Sequence, residues 1–552
     1  MNYLIAFYLE FFVVTLLMPF AIKAAYRMGI VDLPGYRKVH SNPIPRIGGV
    51  VIAISVLLVF CFISSKSLFL YVFMVSGSLI VIAGLIDDCV CLNYRYKFIA
   101  QAVASCFFVV ASGMHIPFLE TLFGFEGPLS VYADIFITSV FIIGAINIIN
   151  LSDGLDALAS GLAIISFFVI IFIAYESQRS DILSIAILMI SSMLAFMRFN
   201  VFPAQIFMGD TGSQFIGFTL GACIVVLSCT NNFTVLNIGI IPFLLGIPFL
   251  DTLNVIYLRL LERKNPFLPD KNHIHHKLVA MHLTQYQAVG CMYVAHFVLL
   301  GFGLAMRGLE PLFIIFIYIL FAFLSLFGLN RINFSGVLNF FSKIHHLSVF
   351  QIRIGQSSIT LSRYSISRFF WHLFFAFLSC YYVFFSATMT TIDVSLLSVF
   401  VVVLLLSLFL CIVCKYDYIV FYKIMFYFFN MVILIYSNDH YLFEMNNGLI
   451  SISLIDVFII SIFFLYFVCI SLTSEKVPVN SIDFLMLIGL FLLIFVSAYE
   501  SSMLYFLQML LRFVLMSFFI NLIFSRFERN MKYVTVLMIY LFFVFIVKAI
   551  AA

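Results

Sequence analysis

Runs of about 20 apolar residues, the length that crosses a bilayer as a helix, recur from one end of this chain to the other. The first, YLIAFYLEFFVVTLLMPFAI, starts at Tyr3, and charged residues make up only 10% of the 552 residues against 64% in the AVILMFWYC set. An ordinary soluble domain carries about 25% charge, so a soluble globular enzyme is excluded. A disordered chain is excluded too, because 70 Phe and 27 Tyr cannot stay solvated. Lipid offers the backbone no hydrogen bonds, so each run must satisfy its own as a helix. The expected fold is an all-α polytopic membrane protein of about 18 transmembrane helices, about eleven before residue 330 and about seven from 367 to 552, one of them near 449 to 472. The net charge of +4 leaves no nucleic-acid footprint. The 11 Cys are scattered singly through apolar stretches and read as reduced. No basic region or small-residue cleavage site precedes the first run, which reads as a retained span.

Alternating the loops across the membrane puts 23–46, 87–96, 198–211, 258–285 and 329–366 on one side, together with most of the 29 Lys and Arg. Positive charge marks the cytoplasmic face, so both termini are expected outside. The polar interruption from 331 to 366, with His345 and His346, divides a membrane module of residues 1–330 from a second at 367–552. It reads either as a basic surface helix on anionic lipid or as part of a site.

Five polar clusters fall on the inner side. DLPGYRKVHSNPIPRIGG carries Arg37, His40 and Arg46, which suit phosphate oxygens or simple inside anchoring. Asp87 and Asp88 form an adjacent acidic pair, with Lys97 and Gln101 on the following helix; repulsion between the two acids would be relieved by a divalent cation or a metal-bound phosphate. NIINLSDGLDALASG spaces Asn147, Asn150, Asp153 and Asp156 by three, mixing amides and acids as ligand binding requires, although Ser152 or Asp153 also reads as a helix cap. Asp210 sits between glycines in FMGDTGS, a turn-and-cap pattern that also frees a carboxylate for a metal. His273, His275 and His276 stand in PDKNHIHHKL, where two adjacent His in one short loop fit an anion better than tetrahedral zinc.

The ordered set DDxxxLxxRxKxxxQ, NxxNxxDGxD, NxxPAxIFMGDTGS and PDxNHIHHKL resembles the bacterial polyprenyl-phosphate N-acetylhexosamine-1-phosphate transferases, glycosyltransferase family 4, over residues 1 to about 330. The HIHH form is similar to the branch that primes O-antigen, enterobacterial common antigen and teichoic acid. The resemblance implies that a UDP-N-acetylhexosamine donates its sugar-1-phosphate to undecaprenyl phosphate with Mg²⁺ or Mn²⁺, releasing UMP at the inner face of a bacterial plasma membrane. It implies Asp210 as metal ligand and Asp87, Asp88, Asp153 and Asp156 as catalytic acids, the first two positioning or deprotonating the lipid phosphate and Asp153 supporting the metal. Gly154, Leu155 and Asp156 match a uridine pocket, with Asn200 and Phe207 beside it. Lys97 and the histidines match phosphate binders, and Asn147, Asn150, Arg37, His40 and Arg46 complete the substrate set. A homodimer is left open.

Residues 367–552 have no counterpart in that minimal family. There, Asp456 and Arg512 are opposite charges set inside expected spans and are expected to pair. The rival class, a transporter, would place ionisable groups near mid-bilayer on broken helices, whereas here the charges of the first eleven runs gather at one face, Glu10 excepted.

Overall fold

The computed structural model describes residues 3–34, 42–64, 66–125, 127–229, 236–263, 273–280 and 283–331, and further on 441–444 and 451–453. The chain divides into two compact units, residues 1–339 with 479–485, and residues 340–478 with 486–552. In the first unit the described helices are α1 (Tyr3–Met28), α2 (Gly48–Ile63), α3 (Leu68–Val90), α4 (Tyr94–Ser112), α5 (Phe118–Phe123), α6 (Pro128–Ser152), α7 (Leu158–Glu176), α8 (Ser180–Asn200), α9 (Gly209–Ser228), α10 (Ile241–Leu261), α11 (Ile274–Ala280), α12 (Gln285–Ala305) and α13 (Pro311–Arg331). Among the described residues, eight helices are long and apolar enough to cross a membrane: α1, α3, α6 to α10 and α12. The apolar helices Gly48–Ile63 and Pro311–Ser325 are shorter, and α4 opens on the polar YRYK. This is the helix content of a polytopic membrane protein. Nearly all of the seven expected spans from 367 onward lie outside the described residues, as do Arg37, His40, His345, His346 and the expected pair of Asp456 with Arg512.

The expectation of an all-α chain needs one correction. β1 (Val31–Asp32) pairs antiparallel with β2 (Ile44–Pro45), Val31 opposite Pro45, so these residues bond to each other instead of prolonging α1 or α2. In the second unit β3 (Tyr441–Glu444) pairs antiparallel with β4 (Ser451–Ser453). β4 falls where the span near 449 to 472 was expected to start. Its Ser-Ile-Ser alternation gives one apolar side chain between two polar ones, a strand pattern rather than a lipid-facing one.

At the centre of the first unit lies α9, which buries every residue except Asp210. A helix enclosed on all sides in lipid gains nothing from hydrophobicity and must pack closely, so small residues mark its contacts. A Cβ on Gly49 of α2 would lie 2.2 Å from the Gly212 Cα, one on Gly84 of α3 would lie 2.5 Å from the Thr211 Cα, and one on Gly217 would lie 2.6 Å from the Ile146 Cα of α6. Three helices thus reach the backbone of α9 through glycine. Around these contacts Phe73, Phe108 and Phe218 interlock edge-to-face and stacked, with centroids 5.7 to 5.8 Å apart.

One helix is broken. Gly246 in α10 has φ 43° and ψ −123°, two residues before Pro248, and a Cβ there would meet the His296 Nδ1 at 2.3 Å. The imidazole fills the break: the Ile247 N–H donates to Nδ1 at 3.2 Å, and Nε2 lies 2.9 Å from the Ser166 Oγ. The second half of α10 leaves in a new direction and carries Asp251.

Gly217→Ala is expected to lower the thermal midpoint of the detergent-purified protein, because its Cβ meets backbone that cannot move aside, an overpacking cost of roughly 1–3 kcal/mol. Gly144→Ala, with nothing within 4 Å of its Cβ, serves as control and should leave the midpoint in place.

Candidate functional site

A helix leaves its first N–H groups without intrahelical partners, and those of α9 are taken by a side chain from another helix. Asp88, in the last turn of α3, accepts from the Asp210 N–H through Oδ1 at 2.8 Å, and from the Thr211 N–H and hydroxyl through Oδ2 at 3.0 and 2.6 Å. The carboxylate is a cap supplied from α3, and the positive end of α9 favours it further. Gly209, at φ +73°, has no room for a side chain: a Cβ would sit 2.2 Å from the Arg46 carbonyl and 2.7 Å from the Asp88 Oδ2. The backbone of α2 completes the joint, Gly48 N–H donating to Phe207 O at 3.0 Å and Gly49 N–H to Met208 O at 2.8 Å.

Asp87 faces elsewhere, since successive helix residues point ~100° apart. Its Oδ1 accepts from the Leu92 N–H at 2.7 Å, and its Oδ2 pairs with Lys97 of α4. The same Lys97 Nζ reaches the Asp210 Oδ2 at 3.0 Å, while Asn150 donates to the Asp210 Oδ1 at 2.7 Å and to the Ser213 Oγ at 2.9 Å. Both oxygens of Asp210 are therefore oriented. The adjacent acids were expected to repel, a cost that a divalent cation or a metal-bound phosphate would relieve; in the structure, each is met by protein groups of its own. Asn147 also departs from its expected place at the ligand: it donates to the Gln101 Oε1 at 2.7 Å and to the Ile143 carbonyl at 2.8 Å, and Gln101 donates to Gln214 at 3.2 Å. These amides tie α4, α6 and α9 together behind the site.

The helix ends enclose a cavity of about 590 Å³. Asp153, Gly154, Leu155 and Asp156 line it from the turn between α6 and α7, Asn150 and Asp210 from one wall, and Arg46 and His276 bring basic groups. Asn200 and Phe207 line it from the connection between α8 and α9. The Asn200 amide is nevertheless spent on backbone: Oδ1 accepts from the Ala157 N–H at 2.8 Å and the amide donates to the Ile206 carbonyl at 2.9 Å. Asn200 thus ties the two cavity loops to each other. Asp156 does the same, accepting from the Ala204 N–H at 3.1 Å.

Charge in the cavity is unevenly distributed. Burial, then the charges of Asp210, Asp156 and Asp88, push the Asp153 carboxyl up to about 7, with Arg46 pulling the other way. Burial opposes the Arg46 charge, but Asp88, Asp32 and Asp210 outweigh it and hold the guanidinium above its ordinary value; Arg46 lies 3.6 Å from Asp32 and 3.8 Å from Asp88. Burial thus contributes most to the tendency of Asp153 to keep a proton, and the neighbouring acids add to it while Arg46 opposes them. Oxygen donors crowded in this way fit a hard divalent cation such as Mg²⁺.

Of the three histidines, only His276 lines the cavity. Asp251, which no motif in the sequence marks, holds the other two. Its Oδ1 accepts from the Ile274 N–H at 2.6 Å, its Oδ2 lies 3.0 Å from the His273 Nδ1 and 3.7 Å from the His275 Nδ1. His275 is 1% exposed, and its ring covers Gly154, where a Cβ would meet Nε2 at 2.2 Å. His275 therefore packs under the DGLD turn, which requires glycine for that contact. Among the described residues, Asp251, His273 and His275 form a group with donor atoms close enough to share a metal, the third ligand coming from α10 rather than from the histidine loop.

Comparison with known proteins fits this arrangement. The model of glycosyl transferase family 4 matches residues 69–228, the stretch from α3 to the end of α9. A protein of Bacillus subtilis (strain 168) described as a probable undecaprenyl-phosphate N-acetylglucosaminyl 1-phosphate transferase is 33% identical over 327 residues, covering 57% of this chain and 89% of the relative. The chain belongs to this family of sugar-phosphate transferases. Undecaprenyl-phosphate alpha-N-acetylglucosaminyl 1-phosphate transferases of Yersinia pestis and Escherichia coli (strain K12) are 29% identical over 273 residues and 28% over 299, with 74% and 81% of each relative covered and 48% and 53% of this chain.

Two predictions concern this candidate site. In metal-free protein between about pH 4 and pH 7, the folded state keeps a proton on Asp153 that the unfolded chain has released. Stability from this group is full below that window, falls as the pH rises through it and is level above; thermal midpoints measured across the window should lose part of that slope in Asp153→Asn. The second concerns the histidines. Chelator-washed transferase is expected to hold no stoichiometric zinc by mass spectrometry; zinc that is present in the native protein and lost in His275→Ala would convert the Asp251 group into a metal centre.

Proposed function

We propose that residues 1–330 transfer N-acetylglucosamine-1-phosphate from UDP-N-acetylglucosamine to undecaprenyl phosphate, giving undecaprenyl-diphospho-N-acetylglucosamine and UMP, at the cytoplasmic face of a bacterial plasma membrane. This is the priming step of a cell-surface glycan such as O-antigen. The observation that carries the reading is the convergence of Asp210, held by Lys97 and Asn150, with Arg46, Asp153, Asp156 and His276 around one cavity. The names of the relatives supply the acceptor and the transferred group.

In this reaction an oxygen of the lipid phosphate attacks the sugar-bearing phosphorus of the donor. The bond from that phosphorus to the bridging oxygen breaks, and UMP departs with the bond's electron pair. Both reactants are anions, so most of the catalysis is positioning and charge stabilisation. Mg²⁺ or Mn²⁺, when bound, supplies positive charge to the diphosphate; Asp210 would hold it, with Asp153 alongside. Lys97 keeps the Asp210 carboxylate aimed, and Arg46 and His276 face incoming phosphate. Gly154, Leu155 and Asp156 shape the side of the cavity suited to the uridine, and Phe207 lines the same cavity. Asp87 and Asp88 work by holding Lys97 and the start of α9, and attack is direct, with no covalent phosphosugar on an aspartate.

The test is a radiolabelled UDP-N-acetylglucosamine assay with undecaprenyl phosphate in detergent. A labelled lipid diphosphate and an equivalent of UMP are expected with Mg²⁺. Asp210→Asn keeps the side-chain shape and loses its charge, so transfer should fall about 10²- to 10³-fold, on the order seen when a key electrostatic group is removed, with the thermal midpoint retained. Substantial turnover by that variant at saturating metal would sink the assignment.

A further inference from the structure

Ala157 ends the DGLDA turn in a left-handed conformation, φ 65° and ψ −2°, which an L side chain adopts at a cost that glycine escapes. Its position in the chain explains why the turn needs it. α6 stops at Ser152 and α7 starts at Leu158, and the reversal at residue 157 lets Asp153 and Asp156 both face the cavity. Something must hold an alanine there. The Asn200 Oδ1 takes the N–H of Ala157, and the carbonyl accepts from the Tyr293 hydroxyl of α12 at 2.5 Å. Tyr293 is wholly buried, and its ring lies over Gly161 on the first turn of α7, where a Cβ would come within 2.1 Å of it. Only glycine at 161 lets the hydroxyl reach its target.

A second tyrosine on α12 repeats the device. Tyr286 lies seven residues earlier, two turns along the same helix face, and its hydroxyl donates to the Phe202 carbonyl at 3.2 Å, in the other cavity loop. Its ring stands edge-on to the Phe202 ring at 5.2 Å. Just before it, Gln285 lines the cavity itself.

We propose that α12 is the strut that sets the spacing of the two cavity loops, and that Tyr293 is a positioning residue for transfer: its hydroxyl keeps Ala157 left-handed and thereby keeps Asp153 and Asp156 aimed into the cavity. The proposal rests on the reading that transfer takes place in this cavity, and it adds a residue outside every polar motif of the sequence.

The experiment is a double-mutant cycle on the full-length protein in detergent, read by kcat and KM for transfer from UDP-N-acetylglucosamine and, separately, by thermal midpoint. Tyr293→Phe deletes only the hydroxyl and should lower kcat about tenfold or more, as expected when reacting groups are misplaced, with KM for undecaprenyl phosphate unchanged. Ala157→Gly removes the cost of the left-handed turn, so it should leave the wild-type rate in place and restore most of the kcat lost by Tyr293→Phe. Ser191→Ala, which deletes another buried hydroxyl, one donating to the Phe7 carbonyl, should lower the midpoint without lowering kcat. Unchanged kcat in Tyr293→Phe, or no recovery on adding Ala157→Gly, overturns the proposal. So does failure of both Tyr293→Phe and the double variant to fold, which would make Tyr293 a packing residue. The midpoints test the strut independently of activity: recovery by Ala157→Gly supports it, and simple additivity refutes it. Absence of transfer in the unaltered protein would instead sink the proposed function.

Discussion

The carboxylate of Asp88 closing the start of α9 is the joint on which the rest of the site depends. Three hydrogen bonds from Asp210 and Thr211 to one side chain satisfy donors that a buried helix start would otherwise leave unpaired, and an unpaired buried donor costs about 1–3 kcal/mol. A water-filled start could have met that need with solvent; α9, buried along its length, cannot. The requirement propagates outward. Gly209 must be glycine to let the carboxylate in, and Gly49 and Gly84 must be glycine to let α2 and α3 come close enough to deliver it. Asp210, the one residue of α9 that escapes burial, is then presented at the cavity by a helix whose position is over-determined.

Such precision matters because the site holds more negative charge than its own cations cancel. Asp87 and Asp210 share one Lys97, and Arg46 stands between Asp32 and Asp88. Asp153 sits among these acids, and its tendency to keep a proton comes first from burial and then from their charges, with Arg46 pulling the other way. A cavity of this kind receives a cation and an anionic diphosphate together more readily than either alone, because each relieves the repulsion the other meets.

Much of this is legible in the linear sequence, and the residues that are not share a physical cause. Apolar runs locate the helices of the first unit, since a bilayer-length run admits few alternatives. Asp153, Asp156, Asp210 and Arg46 are legible because polar groups at the ends of apolar runs stand out. Their partners are hidden by distance in the chain. Nothing near Asp88 in sequence says that its oxygens serve residues 122 and 123 positions later, and a pair of adjacent acids on a helix must diverge, so reading them as one electrostatic unit misleads. Asp251 lies inside an apolar helix, where it passes for an isolated polar residue until α11 folds back onto it. Asn200 reads as a ligand contact, but an amide with both ends on backbone has no linear signature. Tyr293 is one tyrosine among 27, distinguished only by the left-handed alanine it holds.

The broken helix α10 shows how far from the cavity this logic extends. A break in lipid frees backbone groups that must find partners inside the protein, and the groups freed at Gly246 find theirs on neighbouring helices. The Ile247 N–H donates to the His296 Nδ1, so that nitrogen carries no proton. The neutral ring's proton is therefore on Nε2, which donates to the Ser166 Oγ, and the serine passes its own hydrogen to the Leu244 carbonyl at 2.8 Å. Tyr318 completes the set by donating to the Gly246 carbonyl. The imidazole is thus hydrogen-bonded at both nitrogens inside the apolar bundle. Its work is geometric. By stabilising a bend at Gly246 it turns the second half of α10 so that Asp251 can accept from Ile274 and His273, which seats α11 and brings His276 to the cavity wall.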